Sequence, residues 1–191
     1  VVDGVVHGRP ETYPYYQELT QAEWLRAILS HEVQGQTIAE QLSRRDIELR
    51  CEPGRALLDG CGFTAARVEF RKEATNGARL VGLSMNHTQC RTGSVDFLVD
   101  PVLVRNGEAV DPTPPLEGFL VGAYCTESEL LTWRKLSFPE GVARGDLLVF
   151  PNTAGYLMHF RESRSHQLPL AKNVILAGEA ADVLTLDAID H

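Results

Sequence analysis

The 191-residue sequence predicts an α/β arrangement up to about residue 65, followed by an all-β region. Helix-start signals and one short apolar run lie in the first third of the chain. After residue 65, short alternating or apolar runs recur between turn-forming Gly, Pro, Asn and Asp residues. Because many closely spaced short strands usually build a barrel or a sandwich, we expect the second region to adopt one of these folds.

The first region carries two capping boxes, each of which predicts the start of a helix. The box at 20–23 precedes apolar residues at helical spacing over 24–29, and a second box lies at 37–40. The apolar-containing run 47–51 predicts a strand that ends at a breaker cluster, and the small apolar residues of 56–65 predict a short helix.

The β-region begins with an alternating segment in which Val68 and Phe70 are the apolar members, as in a half-buried strand. Seven further strands are predicted, at 80–85, 97–104, 119–125, 147–150, 156–160, 174–177 and 183–186.

Composition and charge exclude several classes of protein. The formal net charge of -8 disfavours a nucleic-acid-binding protein, which needs a basic surface. No apolar run approaches the 18 or so residues of a membrane span, and no signal peptide is visible. The spacing of the four cysteines fits no metal site, so none is expected, and reduced thiols indicate a cytoplasmic protein. The cysteines are Cys51, Cys61, Cys90 and Cys125.

The tetrapeptide Glu52-Pro53-Gly54-Arg55 has the residue types of a ligand site. It follows a predicted strand, and α/β barrels place their active sites at the carboxyl ends of strands. Gly54 lets the backbone approach a ligand closely, and the planar guanidinium of Arg55 suits a phosphate. The same four residues also fit a Pro-Gly turn with a surface ion pair, so this motif alone leaves both interpretations open.

Three segments in order resemble one enzyme family. Residues 52–58 resemble a motif of the pyridoxal-phosphate-dependent ornithine/diaminopimelate/arginine decarboxylases, which have the alanine-racemase-like fold. Residues 121–129 are similar to that family's G-P-x-C-E-S-x-D stretch. Residues 145–150 and 152–156 are similar to its G-D … G-A-Y stretch.

The resemblance implies a two-part architecture. Residues 1–65 would be the last, incomplete portion of a TIM-type α/β barrel that binds the cofactor. Residues 66–191 would be the C-terminal β-barrel or sandwich domain of the decarboxylase type. The implied activity is that of a lyase in amino-acid metabolism, which removes CO2 from an amino acid with pyridoxal 5'-phosphate as cofactor.

The resemblance also implies roles for single residues. Glu52 would hydrogen-bond the pyridine nitrogen of the cofactor, Arg55 and the Tyr156 hydroxyl would bind its phosphate, and Gly54 would belong to the same cofactor-binding set. Cys125 would donate a proton near the substrate Cα in the partner subunit's active site, so that a homodimer follows. Outside the resemblance, a buried small residue is the plain interpretation of Cys125, and a core aromatic is that of Tyr156.

Substrate contacts are expected from two further residues. Arg91 lies where related enzymes bind substrate, and it could hold a carboxylate through two hydrogen bonds. A solvent-exposed arginine at a strand end is an equally good interpretation. Glu129 could select a distal amino group.

The sequence departs from the family at the cofactor lysine. Only three lysines are present, Lys72, Lys135 and Lys172, and none matches the lysine to which the family's cofactor is bound. The chain therefore resembles the C-terminal part of such an enzyme and is expected to be inactive alone. Thr126 stands where relatives place Asp or Glu, so a different amino-acid substrate is expected. A non-catalytic β-barrel binding or dimerisation module and a racemase of the same fold are the alternatives.

Overall fold

A computed structural model describes residues 17–90, 99–107, 113–155, 157–158, 167–177 and 183–186, with the backbone alone for Arg55 and 183–186. Its helices are α1 (Gln21–Ser30), α2 (Ile38–Arg44) and α3 (Arg55–Leu58). Its strands are β1 (Glu32–Val33), β2 (Gln36–Thr37), β3 (Thr64–Glu73), β4 (Arg79–Leu83), β5 (Val102–Val104), β6 (Leu116–Val121), β7 (Leu136–Phe138), β8 (Leu147–Phe150), β9 (Val174–Ala177) and β10 (Val183–Leu186).

The first two helices start where the sequence predicts them, but only one of the two predicted capping boxes forms. At α2 the Thr37 hydroxyl accepts from the Glu40 amide at 3.2 Å, and the Glu40 carboxylate accepts from the Thr37 amide at 2.8 Å. The hydrogen bond from the Thr37 backbone lowers the pKa of Glu40. A carboxylate whose pKa is lowered by folding stabilises the folded state when it is ionised. The stabilisation by Glu40 is therefore present at neutral pH and is lost as the pH falls through the lowered pKa. Thr20 occupies the N-cap position of α1, but its side chain makes no capping hydrogen bond.

A six-stranded mixed sheet forms the centre of the described structure, in the order β5-β8-β3-β4-β6-β7. Neighbouring strands are antiparallel except β4 and β6, which are parallel. Strand β3 pairs with β8 along its first four residues and with β4 along the rest, with a register irregularity between Val68 and Phe70. This strand therefore connects the two halves of the sheet.

The strand directions bring four chain segments to one end of the sheet. Thr64, the first residue of β3, lies opposite Phe150, the last residue of β8. Leu83, the last residue of β4, lies opposite Val68, and the parallel strand β6 ends beside β4. The residues before β3 and the residues after β4, β6 and β8 consequently leave the sheet in the same direction.

The core packs against this sheet and is dominated by branched aliphatic side chains. Alternate residues of the strands point inward, so that Ala66 and Val68 of β3 are buried while their neighbours are not. Among the described residues, the fully buried apolar side chains include Val68, Val81, Leu83, Cys90, Leu120, Leu131, Val142, Leu148 and Phe150.

A buried carboxylate, Asp146, fixes the turn that precedes β8. Its Oδ2 accepts from Arg105 Nη1 at 2.8 Å and from the Ala143 amide at 2.7 Å, and its Oδ1 accepts from the Asn106 amide at 3.1 Å. Arg105 also donates to the carbonyl oxygen of Glu140. Because the carboxylate is fully buried, these hydrogen bonds offset the cost of removing its charge from water.

Most of the predicted strands are confirmed, and 147–150, 174–177 and 183–186 have the predicted bounds. The prediction at 156–160 falls largely on residues outside those described, as does the start of 97–104. The prediction of a strand at 47–51 is wrong: these residues are irregular, and Ile47 and Leu49 are about half exposed. A strand needs a hydrogen-bonded neighbour, and within the described ranges no segment pairs with this one.

The fold is a mixed sheet with few helices. The division into a barrel portion, 1–65, and a β-domain, 66–191, stays a prediction. In the described part of the chain, no helix is long and apolar enough to cross a membrane.

We expect Asp146→Asn to lower the free energy of unfolding by about 2–3 kcal/mol, because hydrogen bonds to a charged group are lost and an amide N–H faces a donor. Urea unfolding of the intact protein measures this. Glu140→Gln removes an exposed carboxylate from the preceding turn and should change stability by less than about 0.5 kcal/mol. Equal effects of the two substitutions would contradict the role of Asp146.

Candidate functional site

Four segments at one end of the sheet contain the motifs singled out in the sequence. Segment A (52–62) precedes β3, segment B (84–90) follows β4, segment C (122–129) follows β6, and segment D (151–158) follows β8. The last residue of β8 lies opposite Thr64 of β3, whereas the last residue of β4 lies opposite Val68. These two positions are four residues, or about 13 Å, apart along β3. Segments A and D therefore form one pair and segments B and C another.

Asn152 joins segments A and D. Its Oδ1 accepts from the Gly60 amide at 2.8 Å, and its Nδ2 donates to Asp59 Oδ1 at 2.6 Å. The next residue, Thr153, donates its amide to the Gly62 carbonyl oxygen at 3.0 Å. Asn152 adopts a φ of 54°, in the left-handed region that Asn tolerates better than most residues. One side chain thus holds the residues that follow the Glu-Pro-Gly-Arg motif.

Close packing at Gly62 adds to this connection. A Cβ placed on Gly62 would lie 3.3 Å from the Cβ of Ala154 and 3.5 Å from the Cε of Met158. A larger side chain at position 62 would push the two segments apart, so glycine allows segment D to lie directly against segment A.

The predicted cofactor-binding residues lie in these two segments. The Glu52 side chain is exposed, and the half-buried Gly54 immediately precedes α3, whose first residue is Arg55. The side chain of Arg55 and the whole of Tyr156 fall outside what the structure describes, so their contacts stay predictions. The structure places residues 59–62, which follow the Glu-Pro-Gly-Arg motif, beside residues 152–154.

Segments B and C are joined by backbone and side-chain hydrogen bonds. The Ala123 amide donates to the Met85 carbonyl oxygen at 2.8 Å, and the His87 amide donates to Glu129 Oε1 at 3.2 Å. The ring nitrogen Nδ1 of His87 contacts the same carboxylate oxygen. A Cβ at Gly122 would overlap the other Glu129 oxygen and lie 2.9 Å from the Met85 carbonyl oxygen.

Cys125 lies exposed in the turn formed by segment C. The Gly122 amide donates to the Glu129 carbonyl oxygen at 2.8 Å and closes this turn at its base. Glu129 is 3% exposed, so the carboxylate expected to contact substrate faces the interior of the described structure. Its role in substrate binding stays a prediction, as does that of Arg91, which lies outside the described residues.

The sequence analysis missed Asp59 and His87 because their partners are distant in the chain. Asp59 meets Asn152 across 93 residues, and His87 meets Glu129 across 42 residues. No local pattern reports such a pair. The only available signal is that each partner lies in a segment singled out by motif.

Comparison with known proteins shows the fold. The structure is similar to a diaminopimelate decarboxylase (TM-score 0.61, 19% identity, 92% of this chain and 42% of that one). It is also similar to diaminopimelate decarboxylase from Helicobacter pylori (TM-score 0.54, 20% identity, 78% of this chain and 34% of that one). A third match is the arginine decarboxylase of Paramecium bursaria Chlorella virus (TM-score 0.53, 15% identity, 73% of this chain and 39% of that one).

In sequence, the chain is 35% identical over 161 residues to the uncharacterized protein y4yA of Sinorhizobium fredii. The match covers 83% of this chain but spans only about a third (35%) of that relative. No protein-family model matches the sequence. The chain thus shares the fold of part of these decarboxylases.

We expect Asn152→Gly to loosen the connection between segments A and D. The substitution keeps the freedom to adopt a positive φ but removes both side-chain hydrogen bonds. The Gly60 amide should therefore exchange its hydrogen about fivefold faster or more, as expected for loss of one hydrogen bond. Hydrogen exchange followed by mass spectrometry on the intact protein measures the rate.

Asn76→Gly is the matched control for this substitution. Asn76 accepts from the Ala78 amide at 3.1 Å in the turn between β3 and β4, at the opposite end of the sheet. This variant should leave exchange at Gly60 unchanged. Unchanged exchange in Asn152→Gly itself would contradict the role assigned to Asn152.

Proposed function

We propose that this chain forms part of a pyridoxal-phosphate-dependent amino-acid decarboxylase. In that enzyme it would hold the pyridine nitrogen and the phosphate of the cofactor and supply a catalytic cysteine across a dimer interface. The observation that carries the proposal is that segments A, C and D, which contain the three motifs, leave one end of a sheet whose fold is that of part of known decarboxylases.

The residue types in segments A and D suit the cofactor. The exposed carboxylate of Glu52 can accept a hydrogen bond from the pyridine nitrogen and keep that nitrogen protonated. The guanidinium of Arg55 and the hydroxyl of Tyr156 are donors suited to a phosphate dianion. When bound, pyridoxal phosphate provides the electron sink for the negative charge that loss of CO2 leaves at the substrate Cα.

Cys125 is the proposed proton donor of this reaction. Its exposed position in the turn of segment C suits a thiol that reaches outward, into a site on a second copy of the chain. A thiol can deliver a proton to the substrate Cα once it lies within hydrogen-bond distance of that atom. The proposal therefore includes a homodimer in which each active site combines segments from both copies.

The positions of the lysines favour a second contributor to the active site. Lys72 pairs with Leu80 near the far end of β3, away from the four segments. Lys135 lines an open groove with Gly77 and Ala78, the turn residues at that same far end. Neither stands near segments A to D, and Lys172 does not match the family's cofactor lysine in sequence, so the lysine that binds the cofactor would come from another part of the intact protein.

The lack of a matching cofactor lysine also supports the alternative of a non-catalytic binding or dimerisation module. A protein that binds no pyridoxal phosphate in its intact form but still dimerises would favour this alternative. A racemase of the same fold differs in its product, because it would yield a D-amino acid where a decarboxylase yields an amine. We assign no particular amino acid as substrate, and the expected carboxylate contact of Arg91 is part of the proposal.

The first test is cofactor affinity in the intact protein, measured by the visible absorbance of bound pyridoxal 5'-phosphate. Glu52→Gln and Arg55→Ala should each raise the dissociation constant about tenfold or more, because each removes a charge-assisted hydrogen bond. Glu48→Gln and Arg50→Ala are matched controls, since they make the same changes in an exposed ion pair just before the motif. Equal affinity in all four variants would contradict the proposal.

The second test is complementation between inactive variants. Cys125→Ala and Arg55→Ala damage different segments, so a mixed dimer has one site with both residues intact if the cysteine acts across the interface. About half of the randomly mixed dimers contain one copy of each variant, and one of the two sites in each such dimer is intact. About a quarter of all sites should therefore regain decarboxylase activity. Activity that stays absent after subunit exchange would exclude a cysteine shared across the interface.

A further inference from the structure

The turn that carries Cys125 rests on a buried carboxylate. Within segment C, backbone hydrogen bonds from Gly122 to Glu129 and from Glu129 to Thr126 close the turn. The Glu129 side chain then folds beneath it, into space that exists only because residue 122 lacks a Cβ. The carboxylate is therefore held between the base of the turn and segment B.

His87 contacts this carboxylate through its amide and its ring. Glu129 Oε1 accepts from the His87 amide at 3.2 Å and contacts the ring nitrogen Nδ1, while Oε2 is buried with no hydrogen-bond partner among the described residues. Because a buried carboxyl group without partners is costly, the contacts with His87 hold the Glu129 side chain in this position.

The same histidine also contacts the residue next to the cysteine. The His87 ring lies edge-on to Tyr124, with ring centroids 6.4 Å apart and an interplanar angle of 80°. His87 itself is fixed by the preceding residue, because Asn86 forms a capping box that starts the turn His87–Gln89. One anchored ring thus touches both the base of the Cys125 turn, at Glu129, and its exposed part, at Tyr124.

We propose that His87 and Glu129 are a pair of positioning residues that hold the Cys125 turn and thereby set the reactivity of the Cys125 thiol. The importance of this effect for catalysis rests on the role proposed above for Cys125. The positional effect itself is a property of the chain alone. It also gives Glu129 a function other than contact with substrate.

Site-resolved alkylation of the intact protein tests this proposal without cofactor. Iodoacetamide modifies thiolates, and peptide mass spectrometry gives a separate rate for each cysteine. Glu129→Gln removes the charge with little change in shape, and His87→Gln removes the ring. Each should change the Cys125 rate about threefold or more, because a released turn no longer fixes the surroundings of the thiol. The double variant should add little, because the two residues act as one unit.

The other cysteines and an exposed glutamate supply the controls. Cys61 is exposed in segment A and should keep its rate in every variant. Cys90, the last residue of segment B, is fully buried outside the Cys125 turn, so its alkylation reports opening of the fold rather than movement of that turn. Glu127→Gln makes the same change of charge at an exposed position of the same turn and should change the Cys125 rate less than twofold.

An unchanged Cys125 rate in Glu129→Gln, or strictly additive effects in the double variant, would overturn the proposal. A rise at Cys90 equal to that at Cys125 would also overturn it, since the pair would then only stabilise the fold. The outcome is independent of cofactor binding. The proposal for His87 and Glu129 can therefore fail while the proposed function stands, and the proposed function can fail while this proposal stands.

Discussion

The divided pairing of β3 is the constraint on which the described structure depends. Its first residues pair with β8 and its later residues with β4, so one strand sets the register of both halves of the sheet. Because β4 and β6 are parallel, their ends lie together, and the antiparallel partners of β3 end toward its start. A one-residue slip of β3 would turn Ala66 and Val68 out of the core, so burial fixes the position of all four segments.

The two pairs of segments differ in how they are held, and the difference suits different tasks. Segments A and D are joined by the hydrogen bonds of Asn152 and by close packing at Gly62, which leave the Glu52 carboxylate exposed. Segments B and C are joined through the buried Glu129 carboxylate, which contacts His87. In the proposed function, the first arrangement would present a surface to a bound group, and the second would control the placement of Cys125.

Local signals in the sequence predicted the features that depend on neighbouring residues. The capping box at 37–40 and the strand at 147–150 are set by hydrogen bonds or alternation within a few residues, and both are confirmed. The apolar run at 47–51 shows where local signals fail. A strand needs a hydrogen-bonded partner, which the run itself does not contain, and these residues are irregular in the structure. The pairing of Asn152 with Asp59 likewise depends on the register of the whole sheet, which no local pattern contains.

Hydrogen exchange of the intact protein with and without pyridoxal 5'-phosphate tests most directly whether the paired segments A and D hold the cofactor. Binding should slow exchange in 52–62 and in 151–158 together, because the cofactor would contact both sides of the Asn152 connection. The antiparallel pair of β9 and β10, which pairs only with itself among the described strands, should not change. Protection confined to one of the two segments, or absent from both, would contradict the account.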